Sequence, residues 1–294
     1  MTGGSLDWER DGKDWPHRGF SRFVIAAGLR WHVQVMGRGP VALLVHGTAA
    51  STHSWRDLAP LLARHYTVVA VDLPGHGFSG PMRSSRVSLP GFANALADLV
   101  EAIDLPPALG VGHSAGAAVL ARMCLDGRIA PRVLVSLNGA LLPPSGWAGL
   151  FFLPTARLLT LNPLIPRIVA WRAADPAAVG RLIGSTGSTL DAEGAALYQR
   201  LVRSPQHVAG ALKMMARWDL RPLIAELPRL AIPLVLVVGE ADRTVLPREA
   251  LQVQRRLSTA RIVRLPGLGH LAHEEAPERV AELIGECALA AGVA

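Results

Sequence analysis

Short, almost wholly apolar runs, recurring with helical spacing between them, constrain this chain more than any other feature. Val41–Val45, Thr67–Val71, 108–111, Val133–Leu137 and 234–238 carry no charged residue. Strands apolar on both faces must be covered on both faces, the condition of a parallel sheet between two layers of helices. Between the runs, apolar residues fall at helical spacing, as at Leu58, Leu61 and Leu62 or at Leu96, Leu99, Val100 and Ile103. The chain therefore reads as βαβ units of an α/β fold with a mostly parallel central sheet and helices on both faces. Residues 23–25 and Leu29–Met36 add a hairpin at the front, around Ala27-Gly28. Arg261–Leu265 reads as the last strand and a helix starting near Pro277 as the last helix.

The alternation stops between Leu141 and about Trp218. No strand-like run occurs there, and helical stretches are broken by Pro143, Pro144, Pro154, Pro163, Pro166, Pro176 and Pro205. The expected organisation is an N-terminal extension over 1–20, a core over 21–140 and 219–294, and a helical cap over 141–218 inserted after the sixth strand. Trp147, Phe151, Phe152 and Trp171 make the first part of the cap strongly apolar, while Arg157, Pro163, Pro166 and Arg167 interrupt any membrane-spanning run. Packing between cap helices accounts for most of these residues. A pocket for an apolar ligand, lined by Trp147, Phe151, Phe152, Trp171 and Trp218, is the favoured addition, with a surface touching a membrane interface as the other reading.

Each apolar run ends in a loop with chemically capable residues. After 108–111 comes Gly112-His113-Ser114-Ala115-Gly116, followed by a helical run. G-x-S-x-G between strand and helix presents a serine hydroxyl on a strained turn, the glycines letting the two elements approach closely. Such a hydroxyl is a weak nucleophile at neutral pH and needs a base, which in turn needs an orienting carboxylate. Asp242 follows the run 234–238 and His270 follows Arg261–Leu265, so Ser114, Asp242 and His270 converge on one edge of the expected sheet. Asp98, Asp104 and Asp126 lie in or beside expected helices and are poorer acids. His76 and His273 read as structural or pocket-rim residues.

Charge and composition exclude several classes. The chain of 294 residues carries a net charge of +7, but its basic residues are scattered and accompany no nucleic-acid-binding signature, so nucleic acid is not an expected partner. Much of the excess lies in the cap, where Arg157, Arg167, Arg172, Arg181, Arg200, Arg203, Lys213 and Arg217 face only Asp175, Asp191 and Glu193. That segment suits an anionic substrate, an acidic partner or an anionic membrane surface. Cys124 and Cys287 have no metal-type spacing, so neither a zinc site nor a disulfide framework is expected. Residues 1–20 are polar and lack a signal-like apolar stretch, which places the protein in the cytoplasm.

His46-Gly47-Thr48, Asp72-Leu73-Pro74-Gly75-His76-Gly77, Gly112-His113-Ser114-Ala115-Gly116, Gly239-x-x-Asp242 and Gly269-His270 resemble the successive signatures of the α/β-hydrolase fold, in its Ser, Asp, His chain order. The resemblance implies Ser114 as nucleophile, His270 as general base and Asp242 as its orienting acid. It also implies an oxyanion hole from the backbone N–H groups of Thr48 and Ala115, with His46 bracing the oxyanion loop and His113 beside the elbow, both at the substrate side. A serine nucleophile speaks against the carboxylate-based chemistry of related folds and for acyl transfer to water, esters first. That chemistry calls for no metal and no organic cofactor.

A narrower likeness rests on segments outside these signatures. Trp8-Glu9-Arg10-Asp11-Gly12-Lys13-Asp14-Trp15-Pro16, residues 29–37, Trp171-Arg172-Ala173-Ala174-Asp175 and residues 214–223 look like the magnesium-chelatase accessory hydrolases of bacteriochlorophyll biosynthesis. That likeness implies a role near magnesium insertion into a porphyrin and transient contact with magnesium chelatase. An apolar, arginine-bearing cap would suit a tetrapyrrole with anionic propionates, and equally a fatty ester. Two function classes follow: a serine hydrolase acting on an apolar ester, and a porphyrin-binding or chelatase-associated protein in which hydrolysis is dispensable.

Overall fold

The computed structural model describes residues 4–143, 162 and 164–293. Eight strands form one sheet: β1 Ser21–Ala26, β2 Leu29–Met36, β3 Val41–Val45, β4 Thr67–Val71, β5 Leu109–His113, β6 Val133–Leu137, β7 Leu234–Gly239 and β8 Arg261–Leu265. Their spatial order is β1-β2-β4-β3-β5-β6-β7-β8. β2 runs antiparallel to β1 and to β4, and every pair from β4 through β8 is parallel.

Alternate residues of each central strand enter different cores, as the period of two requires. Leu43 and Val45 of β3 join the cluster beneath α3 (Leu89–Ile103) and α4 (Ala115–Leu125). Ala42 and Leu44 join the opposite cluster, covered by α2 (Leu58–Leu62) and the C-terminal α12 (Pro277–Ala290). Pro at the first turn of α12 starts that helix as the sequence suggests, and Ser88 caps α3, its hydroxyl accepting from the Gly91 N–H. Because parallel strands end on one side, the loops after β3, β5, β6, β7 and β8 share one edge.

Four helices fill the described part of the insertion: α5 (Ile165–Arg172), α6 (Pro176–Ser185), α7 (Ala192–Val202) and α8 (Pro205–Ala216). Short α9 (Arg221–Glu226) and α10 (Pro247–Arg256) flank β7, and α11 (Ala272–Glu275) lies between the His270 loop and α12. None of the described helices is long and apolar enough to cross a membrane.

The N-terminal segment, including α1 (Trp8–Asp11), is no loose extension. Trp15 is buried with Phe78, Leu197 and Leu201, and its indole N–H donates to Thr52 Oγ1 at 3.1 Å. From the cap, Arg200 donates to both Asp14 carboxylate oxygens at 2.7 and 2.8 Å and to the Asp11 carbonyl at 2.8 Å. The segment thus ties core and cap together. Beneath Trp8 and Phe78, Asp72 accepts from His32 Nδ1, the Phe78 N–H and the Thr52 N–H at 2.8, 2.9 and 2.7 Å. Burial alone would raise this carboxyl, but His32, His46 and the donors hold it well below the usual carboxylate range.

Candidate active site

β5 delivers Ser114 into an elbow with φ 50° and ψ −117°. A non-glycine residue there costs about 1–3 kcal/mol and persists only where its surroundings over-determine it. They do so here: the Ser114 N–H donates to the Leu137 carbonyl and the Ala140 N–H donates to the Ser114 carbonyl, both at 3.0 Å. At Gly116 a Cβ would press on the carbonyl oxygens of Val45 and His46, and at Gly47 it would stand 2.8 Å from Ser114 Cβ. Only glycine lets the oxyanion loop, the elbow and α4 come this close.

His270 donates from Nδ1 to Asp242 Oδ2 at 2.8 Å. Asp242 is held in turn: Oδ1 accepts the Thr244 and Val245 N–H groups at 2.7 and 3.0 Å, and Oδ2 also accepts Asn138 Nδ2 at 2.8 Å. With its proton on Nδ1, the imidazole keeps the Nε2 lone pair free, the tautomer a general base requires. Among the described residues the Ser114 hydroxyl has no hydrogen-bond partner, so the serine–imidazole link is the open contact of the three. Such bonds often tighten only once substrate is bound.

The other histidines at this edge are struts. His46 Nε2 accepts the Leu73 N–H at 2.9 Å and Nδ1 donates to the Gly47 carbonyl at 2.7 Å. His113 Nε2 donates to the His270 carbonyl at 2.9 Å. Burial lowers His46, drives His113 well below its ordinary value with help from His273 and His270, and takes His273 down to about 3. All three stay neutral at neutral pH, and of the edge histidines only His270 hydrogen-bonds a carboxylate. Thr48 lies on the loop after β3 and Ala115 at the first position of α4, and among the described residues neither N–H donates to a protein acceptor. Met214 of α8 covers this spot, its sulfur 3.6 Å from Thr48 Oγ1, and His207 of α8 donates to the Ala49 carbonyl at 3.1 Å.

The fold thus brings Ser114, Asp242, His270, Thr48 and Ala115 to one edge. His46 and His113, expected at the substrate side, are buried and hydrogen-bonded to backbone groups. Trp171 is 74% exposed, while Trp218 lies half-buried against Phe92 of α3. Trp147, Phe151 and Phe152 lie outside the described residues. Sequence reasoning missed Asn138, which follows β6 at φ 47° and bridges Asp242 and the Gly269 carbonyl. The signal available was an asparagine directly after a parallel strand, tolerant of left-handed backbone.

A family model described as "Alpha/beta hydrolase family" matches residues 42–283. The chain belongs to the alpha/beta hydrolase family. This hydrolase-family chain is 39% identical over 273 residues to the "Magnesium-chelatase 30 kDa subunit" of Rhodobacter capsulatus, spanning 92% of this chain and 95% of that protein. It is 30% identical over 262 residues to a "Pimeloyl-[acyl-carrier protein] methyl ester esterase" of Xanthomonas oryzae pv. oryzae, spanning 86% and 96%. Among solved structures, an alpha/beta hydrolase fold protein from Burkholderia ambifaria superposes with a TM-score of 0.77 at 26% identity, covering 91% of this chain and 97% of that one.

Proposed function

We propose that this protein is a cytoplasmic serine hydrolase of the carboxylic-ester type, acting on an apolar substrate under a helical cap, in the service of magnesium-porphyrin and bacteriochlorophyll synthesis. The observation that carries the chemistry is the His270–Asp242 hydrogen bond beside a serine held in a strained elbow on the same sheet edge. In this reading Ser114 Oγ attacks the ester carbonyl as His270 Nε2 takes its proton. The tetrahedral oxyanion is held by the Thr48 and Ala115 N–H groups, preorganised donors of the kind that contribute about 3–4 kcal/mol each to such transition states. His270 then returns the proton to the departing alcohol, and a water, deprotonated by the same nitrogen, releases the acid from the acyl-serine. The pathway assignment is supported by likeness to the chelatase-named relative, and the ester chemistry by likeness to the methyl ester esterase.

A second reading, a porphyrin-binding or chelatase-associated protein in which hydrolysis is dispensable, draws on the open Ser114–His270 contact. For either, we place transient contact with chelatase or an anionic membrane surface on α5 and α6, where exposed Leu164, Ile168, Trp171 and Leu182 stand beside Arg167, Arg172 and Arg181. Intact-mass analysis after treatment with a fluorophosphonate probe separates the two. A single adduct on the wild type and none on Ser114→Ala is the expected result, and a folded wild-type protein that takes no adduct would favour the binding reading.

A further inference from the structure

We propose that Ser188, a residue of the cap, is a positioning residue for the general base, so that seating of the cap aligns His270. The proposal rests on the reading of Ser114 and His270 as nucleophile and base. The turn between α6 and α7 is wedged between the loops that carry the acid and the base. At Gly187, with φ +86°, a Cβ would press on the Ala241 carbonyl, and one at Gly269 would press on Gly187 and on Ser188 Oγ. The Thr186 carbonyl accepts the Arg243 N–H at 3.0 Å, beside Asp242.

On the other side the turn grips the base. Ser188 Oγ accepts the Leu271 N–H at 2.8 Å and donates to Glu275 Oε2 at 2.9 Å. The same Glu275 oxygen accepts the Gly269 N–H at 2.8 Å, and its Oε1 accepts the Thr189 N–H at 3.1 Å. The N–H groups on either side of His270 are therefore held by one pair, the buried Ser188 and the partly buried Glu275, half of which belongs to the cap. The third backbone handle, the His270 carbonyl, is taken by His113 from the elbow. Leu271 also packs into the cap cluster of Ala173, Val179 and Ile183.

Lifting the cap removes Ser188 and Thr189 together, so that the Leu271 N–H loses its acceptor and Glu275 loses two of its three donors, while Glu275, His113 and Asn138 stay on the His270 loop. The His270 backbone then loses part of the support on which closing the Ser114–His270 contact over substrate depends, and the serine idles while the site is open to water. Closure over an ester restores both bonds and the alignment. An active site arranged this way spends its activated state on enclosed substrate.

The test is the rate at which a fluorophosphonate modifies Ser114, followed across pH in the full-length wild type, Ser188→Ala and Ser188→Thr, with thermal unfolding in parallel. Ser188→Ala is expected to react on the order of 10–100-fold more slowly, the loss that follows from misplacing a reacting group by about an ångström. It should also lose the pH inflection by which the wild type reports its base, at a nearly unchanged melting temperature. Recovery in Ser188→Thr, which returns an Oγ, supports the assignment. A Ser188→Ala protein that reacts at the wild-type rate, or more slowly with the wild-type pH profile, overturns it while leaving the hydrolase reading intact. A wild type that does not react at all removes the reading beneath it and the proposal together.

Discussion

Substitution of Gly112 by alanine tests how the elbow is built. A Cβ there would stand 2.5 Å from both the Cα and the N of Ala117 and 2.7 Å from the carbonyl carbon of Gly116. All three are backbone atoms, so no flexible side chain can swing aside. Ordinary contact begins near 3.4 Å, and β5 and α4 must therefore separate by about 0.9 Å. Overpacking of this kind costs about 1–3 kcal/mol, a fall in melting temperature of roughly 2–12 °C for a chain of this size. The displacement also shifts Ser114 against His270 by a comparable distance, which corresponds to a loss on the order of 10²-fold in reaction rate. Thermal unfolding and fluorophosphonate kinetics read the two effects separately. Gly180→Ala is the control: nothing lies within 4 Å of its Cβ position in α6, and stability should rise by about 0.5–1 kcal/mol. A Gly112→Ala protein that melts and reacts like the wild type would refute the close-approach argument.

Three more expectations follow from particular contacts. Asp242→Asn keeps the side-chain shape but no longer fixes the proton on His270 Nδ1, and ester turnover should fall on the order of 10⁴-fold while circular dichroism stays unchanged. Burial raises the Glu274 carboxyl to about 8, where it accepts from Tyr198 Oη at 2.7 Å. Between its unfolded value near 4.5 and 8 the folded state binds more protons than the unfolded one, so this group makes stability fall as pH rises through that window. Glu274→Gln should accordingly be about as stable as the wild type at pH 4 and more stable, on the order of 1–4 kcal/mol, at pH 9, as chemical denaturation at both pH values will read. Arg200→Ala removes a half-exposed ion pair worth under about 1 kcal/mol globally, so its signature should be faster proteolytic cutting near Asp11–Asp14 at a nearly constant melting temperature.

Much of the core was legible because its signal is local. β3, β4 and β6 fall where the apolar runs place them, β2 and β8 where the sequence reads strands, and β5 begins one residue later and continues through His113. A strand covered on both faces has to be apolar throughout, which no distant contact can disguise. Ser114 and Asp242 drew attention for the same reason, each following such a strand, whereas His270 follows β8, which carries Arg261 and Arg264. What stayed hidden depends on partners far along the chain. Trp15 lies in a polar stretch, yet it is buried by Leu197 and Leu201 of the cap. Trp171 looks like a pocket wall by composition and is solvent-facing because α5 buries only Ala170. His46 and His113 sit in the right motifs, but both ring nitrogens of His46 and the Nε2 of His113 are taken by Leu73, Gly47 and His270 backbone groups that adjacency does not reveal.

Asn138 has a consequence for how proteins of this design can diversify. It stands where the chain leaves β6 for the insertion, and from there it grips the acid and the carbonyl next to the base. The groups of the proposed reaction are thus tied to one another outside the insertion. A lineage can rewrite the inserted helices for a new cargo and keep the same chemistry, much as a tool keeps its handle when its jaw is changed. The part that must travel with any replacement is the turn over residues 186–189, because it meets both the Asp242 loop and the His270 loop. Chimeras that exchange the insertion with and without that turn would show which portion of the cap is cargo and which is fixture.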